Sequence, residues 1–209
     1  MESGDSEKIL SQKRAVAPIP PELPRFDGGW GAETPEDSAW LERNGFPDTA
    51  TLEQLTLATE EQLRYMAAQG SRHAQRMADY KALRRTEGDP SFEEALFNAA
   101  AGGDVFALQL LAWHHLQTPG AESRVIGLAY NRVLGLRGYH PAVVASHIYM
   151  HRLPRDHWVA VDIYALVILN RLQEMRMQRV GVPFPVSPRP GLDQLFSAAQ
   201  SALRESGND

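Results

Sequence analysis

Apolar residues recur at spacings of three and four from Thr34 almost to the end of the chain, which is the period of amphipathic helices. Runs of β-branched residues with strict alternation, which predict strands, are missing from the sequence. The pattern therefore predicts an all-α protein. Thr34 followed by Pro35 predicts the start of the first helix, and Asn44-Gly45 predicts its end.

Capping residues indicate where the later helices begin. The predicted starts are Thr59, Asp89-Pro90, Asp104, His140-Pro141 and Asp156. Leu153-Pro154 is expected to close the helix that begins at Pro141. Asp156 is expected to cap a long helix that ends near Gln178, and a short helix is expected at residues 52–55.

Three internal segments share a pattern built around a glycine. The segments are residues 64–80, 97–113 and 132–148. Their glycines, spaced 33 and 35 residues apart, are Gly70, Gly103 and Gly138. The alanines four residues later are Ala74, Ala107 and Ala142. Because glycine ends helices in a left-handed conformation and a small residue lets two helices approach closely, we predict stacked pairs of antiparallel helices.

This pattern resembles the Sel1-like repeat family, a relative of the tetratricopeptide repeats. Units of that family carry an Ala-Ala pair, a glycine, a further alanine and a Leu-Gly pair. The Ala-Ala pair is present here as Ala67-Ala68 and Ala99-Ala100, and Leu134-Gly135 stands in its place in the third segment. The resemblance covers about residues 59–178. It implies a short right-handed α-solenoid of Sel1-like, tetratricopeptide-like helix pairs that serves as an adaptor or scaffold.

The chain divides into four predicted segments. Residues 1–33 are rich in proline and glycine and are predicted to be a flexible extension. Residues 34–178 form the helical repeat domain, and residues 179–191 form a proline-rich loop. Residues 192–209 are predicted to contain a capping helix and a tail, since an open stack of helices exposes an apolar end. The apolar face of that helix consists of Leu195, Phe196, Ala199 and Leu203.

Composition narrows the classes of function. A net charge of −5 disfavours nucleic-acid binding, and the absence of cysteine excludes disulfides and cysteine-ligated zinc. The most apolar stretch, residues 158–169, is too short to span a bilayer and contains Asp162. A polar start before a proline-rich stretch is typical of an exported protein whose signal or anchor has been removed. We therefore expect a protein of the periplasm or envelope rather than the cytoplasm. Arginine far outnumbers lysine, as in GC-rich bacterial genomes, which predicts a bacterial source.

Three histidines in the third unit are the main candidates for chemistry. His147 and His151 are four residues apart, which is the spacing of transition-metal ligands on a helix. His140 precedes Pro141 and is expected at the helix start, and no glutamate accompanies the pair as in metalloproteases. No motif for nucleotide binding or acyl transfer is present in the sequence. We therefore expect no cofactor and no catalytic residues, with a metal-dependent or other hydrolase using this unit as the alternative.

Aromatic and arginine side chains are the candidates for contact with a partner. They are Trp113, Tyr130, Tyr149, Trp158, Tyr164, Arg132 and Arg152. About three of the five aromatic residues are expected in the core, because helical repeats bury aromatic side chains between layers. We expect a non-enzymatic protein that binds another protein. It would be either an immunity protein that neutralises a secreted toxic effector or an envelope adaptor.

Overall fold

The structure is a computed structural model that describes residue 32, residues 34–86, 88–150 and 153–185, and residue 189, without the side chains of residues 147 and 148. Over these ranges the chain is helical and has no strand, which confirms the predicted all-α class. None of the described helices has both the length and the apolar character needed to cross a membrane. The helices are α1 (Pro35–Arg43), α2 (Thr49–Leu57), α3 (Glu60–Ala68), α4 (Arg72–Arg85), α5 (Pro90–Ala101), α6 (Val105–Gln117), α7 (Ala121–Leu136), α8 (Pro141–Met150) and α9 (Asp156–Val180).

Side-chain caps begin the helices at most of the predicted positions. The Thr34 hydroxyl accepts a hydrogen bond from the Asp37 N–H at 3.2 Å. Thr59 and Gln62 form a reciprocal capping box, with bonds of 2.8 Å and 3.2 Å. Each of these bonds satisfies a backbone group that the first turn of a helix leaves unpaired, so these starts are determined locally.

Four helix ends share one turn geometry. After α3, for example, the Gly70 N–H donates to the Ala67 carbonyl at 2.9 Å and the Ser71 N–H donates to the Met66 carbonyl at 3.1 Å. This is the Schellman arrangement, which requires a positive φ at the glycine. The glycines, with φ of +84°, +96°, +112° and +90°, are Gly45, Gly70, Gly103 and Gly138. Three of them are the glycines of the internal repeat, so equal spacing in sequence corresponds to equal turns.

The extent of α2 and the end of α8 are compared with the boundaries that the sequence predicts. α2 runs from Thr49 to Leu57, well beyond the expected residues 52–55, because Asp48 caps it by accepting from the Thr51 N–H at 2.8 Å. α8 ends at Met150, before Leu153-Pro154. Residues 151 and 152, between this bound and Leu153-Pro154, lie outside the described residues.

The long helix α9 also departs from expectation at its start. Arg155 is the N-cap and makes no side-chain capping bond, so the prediction that Asp156 caps the helix is wrong. The Asp156 carboxylate lies 3.1 Å from Nδ1 of His157 instead. At the other end, α9 continues to Val180 because Gly181, with φ of +75°, is the first residue that adopts the left-handed stop.

α6 is the central helix of the core. Every residue from Val105 to Ala112 is buried, and the helix packs against α4, α5 and α7. The repeat alanines Ala74, Ala107 and Ala142 are all buried, which agrees with their predicted role at close helix contacts. A fully buried leucine such as Leu108 stabilises the fold by about 1.5–3 kcal/mol, so α6 anchors its neighbours.

Two glycines inside α7 lie where other helices approach it most closely. A Cβ at Gly127 would lie 2.8 Å from Cγ of Leu116 in α6. A Cβ at Gly135 would lie 2.4 Å from Cγ2 of Val143 in α8. Glycine inside a helix costs about 0.5–1 kcal/mol relative to alanine. The absence of a side chain here lets α6 and α8 pack directly on the α7 backbone.

A polar cluster holds α1 against the start of α6. The Val105 N–H donates to the Asn44 carbonyl at 2.8 Å. Asp104 caps α6, and its carboxylate lies so close to Gly45 that a Cβ there would be 2.4 Å from Oδ1. Nε of Arg76 donates to Oδ2 of Asp104 at 3.2 Å. The cluster therefore joins α1, α4 and α6 at one point.

A buried ion pair joins α1 to the chain after α9. The side chains of Asp37 and Arg189 are only 3% and 7% exposed. Nη2 of Arg189 donates to Oδ2 of Asp37 at 2.7 Å, and Nε donates to Oδ1. The Arg189 N–H also donates to the Gly138 carbonyl at 3.1 Å. Arg189 thus connects α1 with the turn between α7 and α8.

The predicted capping helix at residues 192–209 lies outside the described residues, as does nearly all of the predicted extension at residues 1–33.

Candidate functional site

α9 carries apolar side chains on two opposite faces. The inner face packs toward α5 and α7, and its buried residues are Val161, Ala165, Ile168 and Leu172. The outer face lies on the opposite side at about 100° of rotation per residue. Its residues, exposed by 65%, 56%, 59% and 58%, are Val159, Ile163, Leu166 and Val167. A single surface helix normally has a polar outer face, so this arrangement is typical of a helix that is covered on both sides.

The outer face of α9 has a polar border. Nε of Arg132 in α7 binds Oδ1 of Asp162 at 3.0 Å, and both side chains are substantially exposed. Tyr164 is 38% exposed. Apolar patches with polar borders on protein surfaces mark interaction sites. Covering a branched apolar side chain contributes about 1.5–3 kcal/mol, so four such residues supply a useful driving force for association.

The five aromatic candidates occupy different environments. Tyr130 is buried, and its ring stacks on His115 with 5.6 Å between ring centroids. Trp113 is half-buried and packs against the main core. Tyr149 and Trp158 are half-buried against a smaller core cluster, and Nε1 of Trp158 donates to the Met150 carbonyl at 3.1 Å. Of the five, Tyr164 alone is exposed.

The structure describes one of the two arginine candidates. Arg132 lies at the border of the outer face of α9, where it pairs with Asp162. Arg152 lies outside the described residues. Of the predicted contact residues, Arg132 and Tyr164 lie beside the four exposed apolar residues of the outer face of α9. These four were noted in the sequence only as part of an apolar stretch, because a one-dimensional pattern does not show which side of a two-faced helix is covered.

The histidine-rich unit gives no metal site among the described side chains. His140 is half-buried directly before α8, and burial lowers the pKa of its imidazole. The side chain of His147 and all of His151 lie outside the described residues. In the part of the chain that the structure describes, no three histidine, aspartate or glutamate side chains are grouped as metal ligands.

A hydrogen-bonded chain that the sequence did not indicate joins α5, α6 and α7. Nε2 of His115 lies 3.3 Å from Oε1 of Glu93, and Nδ1 lies 3.2 Å from Oγ of Ser123. The bond from His115 lowers the pKa of the Glu93 carboxyl. Although the residue types match a Ser-His-acid triad, Ser123 Oγ donates to the His115 carbonyl at 3.1 Å. This chain ties three helices together.

A shallow cleft of about 660 Å³ lies between α2 and α3. Leu57 and Tyr65, which are 86% and 69% exposed, form its apolar part. The cleft is open to solvent and has only one charged residue, Glu61, in its lining. The other polar side chains that line it are Gln54 and Gln62.

Across the described residues the fold is helical, and the outer face of α9 is apolar and exposed. Comparisons of the chain with protein-family models, with curated proteins and with solved structures found no match.

Proposed function

We propose that this protein is a non-enzymatic binding protein that captures another protein on the outer face of α9. The observation that carries the proposal is the exposure, by more than half, of Val159, Ile163, Leu166 and Val167 on one side of a helix whose other side is buried. Arg132 and Tyr164 at the border supply a charged group and an aromatic ring, which are the residue types enriched at interface hot spots.

The scaffold belongs to the same proposal. Helix pairs α3–α4, α5–α6 and α7–α8 are joined by glycine turns of one geometry at near-equal spacing. This regularity supports a short right-handed solenoid of Sel1-like type, in which each pair buries the apolar face of its neighbour. α9 would then be the first helix of a further unit, and its outer face is the surface that the described residues leave exposed.

The test is affinity capture with the full chain as bait. Wild-type protein is expected to retain a stoichiometric partner that Leu166→Asp fails to retain, because a charge in the centre of an apolar interface is left desolvated. Leu57→Asp is the matched control, since Leu57 is an exposed leucine (86%, against 59% for Leu166) on α2, which packs on α4. Capture that is unchanged in Leu166→Asp would overturn the proposed site.

Self-association is measured on the same samples. Light scattering behind size exclusion is expected to give a monomer for both wild type and Leu166→Asp. A wild-type dimer that Leu166→Asp dissolves would show that the outer face of α9 binds a second copy of this chain, and it would refute capture of a different protein.

The identity of the captured protein separates the two specific forms of this function. A secreted toxic effector that loses its toxicity when captured supports an immunity protein of the bacterial envelope or periplasm. A resident envelope protein supports an adaptor. Distinguishing an immunity protein from an adaptor in this way does not depend on whether a cofactor is bound, because the assay measures protein binding directly.

A further inference from the structure

A second cleft, of about 670 Å³, opens where α1, α4, the α5–α6 turn, the end of α7 and α9 meet. We call it the arginine cleft. The arginines that line it are Arg43, Arg72, Arg76, Arg137 and Arg176. The acidic residue that lines it is Asp104. It lies apart from the outer face of α9, so an inference about it does not depend on the proposed function.

The charges in the arginine cleft do not balance. Among the described lining residues five are arginines and one, Asp104, is acidic. Asp79, beside the cleft, adds a second carboxylate 3.7 Å from Nη1 of Arg76, so an excess of three positive charges remains among these described residues. The Asp104 carboxylate is already bound by Nε of Arg76 at 3.2 Å and caps α6. Burial, together with repulsion from Arg176, lowers the pKa of Arg137 to about 10, which still leaves its guanidinium charged at neutral pH. Such a concentration of like charge is stable when an anion neutralises it.

Arg137 provides the second, independent indication of a ligand. Arg137 is only 8% exposed, yet its Nε and Nη1 have no hydrogen-bond partner among the described residues. The guanidinium lies 3.5 Å from the centre of the Phe184 ring, which holds it in place without satisfying its N–H groups. Arg176 lies 4.8 Å from the same ring, and its Nε is also buried and unpaired. Buried donors without acceptors are costly, so the site is completed by an acceptor that enters the cleft.

We propose that the arginine cleft binds a ligand that carries two or more phosphate groups. Guanidinium groups bind phosphate oxygens in bidentate fashion, and several arginines around one site favour a ligand of high charge density. A single carboxylate would leave most of the excess charge unbalanced. The volume of the cleft is within the range of small-molecule sites, so a diphosphate with an attached organic group fits.

Calorimetric titration with pyrophosphate tests this proposal. Binding at near-physiological salt is expected, with citrate, a carboxylate ligand of comparable charge, at least about tenfold weaker. A titration with ADP distinguishes the source of the phosphate groups: tighter binding than pyrophosphate indicates a nucleotide, and equal binding indicates inorganic or other diphosphates. Citrate binding as tightly as pyrophosphate would overturn the phosphate assignment, and an absence of binding by all three probes would overturn the site.

Variants locate the binding. Arg137→Gln and Arg176→Gln are each expected to weaken pyrophosphate about tenfold or more, since each removes a charge-assisted donor. Arg43→Gln provides the same test with an exposed residue, should the buried variant unfold. Arg64→Gln is the control, because Arg64 is 65% exposed and does not line the cleft. An equal loss of affinity in Arg64→Gln would show non-specific attraction and refute the site.

Discussion

Replacing Arg189 with methionine removes the guanidinium from a buried ion pair and leaves the Asp37 carboxylate buried without its counter-charge. Breaking such a pair by removing one partner costs about 3–5 kcal/mol. For a chain of this size, 1 kcal/mol corresponds to roughly 2–4 °C in Tm, so Arg189→Met is expected to lower Tm by roughly 6–20 °C. Loss of the Arg189 contact also loosens the connection between α1 and the turn after α7.

The assay is thermal unfolding followed by circular dichroism, with a double-mutant cycle. Asp37→Leu combined with Arg189→Met is expected to recover much of the lost stability, because replacing both buried charges by apolar groups is often neutral. Arg132→Met is the matched control, since its ion pair with Asp162 is exposed and contributes at most about 1 kcal/mol. If Arg189→Met melts as close to wild type as Arg132→Met does, the buried ion pair does not stabilise the fold.

Three further predictions concern the turns, the core and pH, each measured as a change in unfolding free energy. Gly70→Ala is expected to cost about 1–2 kcal/mol, because alanine resists the positive φ at this position. Gly45→Ala is expected to cost more, because its new Cβ would also strike the Asp104 carboxylate, whereas a Cβ at Gly70 would meet open space. Equal costs for the two variants would contradict this reasoning. Leu111→Ala is expected to cost about 2–5 kcal/mol by leaving a cavity, whereas Leu57→Ala, at an exposed site, should stay within about 0.5 kcal/mol; similar losses would argue against the described core. Burial lowers the pKa of His114 in the folded state. The stability that its neutral imidazole contributes is therefore complete above about pH 6.5, and it is lost as the pH falls through the lowered pKa. Wild type should therefore lose more stability between pH 7 and pH 5 than His114→Gln, and parallel curves would refute the assignment.

Capping residues and turn glycines predict helix ends well, because the hydrogen bonds and backbone conformations involved are satisfied within a few residues. Thr34 and Thr59 cap their own helices, and the turn glycines accept a positive φ without help from distant parts of the chain. The wrong prediction that Asp156 caps α9 also came from a local signal. Its side chain had the right type for a cap, but the helix begins one residue earlier and the carboxylate meets His157.

The candidate site was only partly predictable. Residue type predicts Tyr164 and Arg132 as partner contacts, and both lie at the edge of the outer face of α9. Residue type predicts Tyr130 in the same way, but Tyr130 lies in the core, because its position on α7 faces α6. Periodicity identifies an apolar helix, whereas the number of its faces that neighbours cover depends on the packing of the whole stack.

The sequence by itself determined the all-α class, most helix starts and the repeated glycine turns, since capping and backbone conformation are decided by neighbouring residues. The tertiary structure alone decided which faces stay exposed and which distant charges meet. Asp37 pairs with a residue 152 positions away, and the arginine cleft collects side chains from α1, α4, α7 and α9. These contacts depend on how helices pack across the core, and packing is a property of shape and burial that no local window of sequence contains.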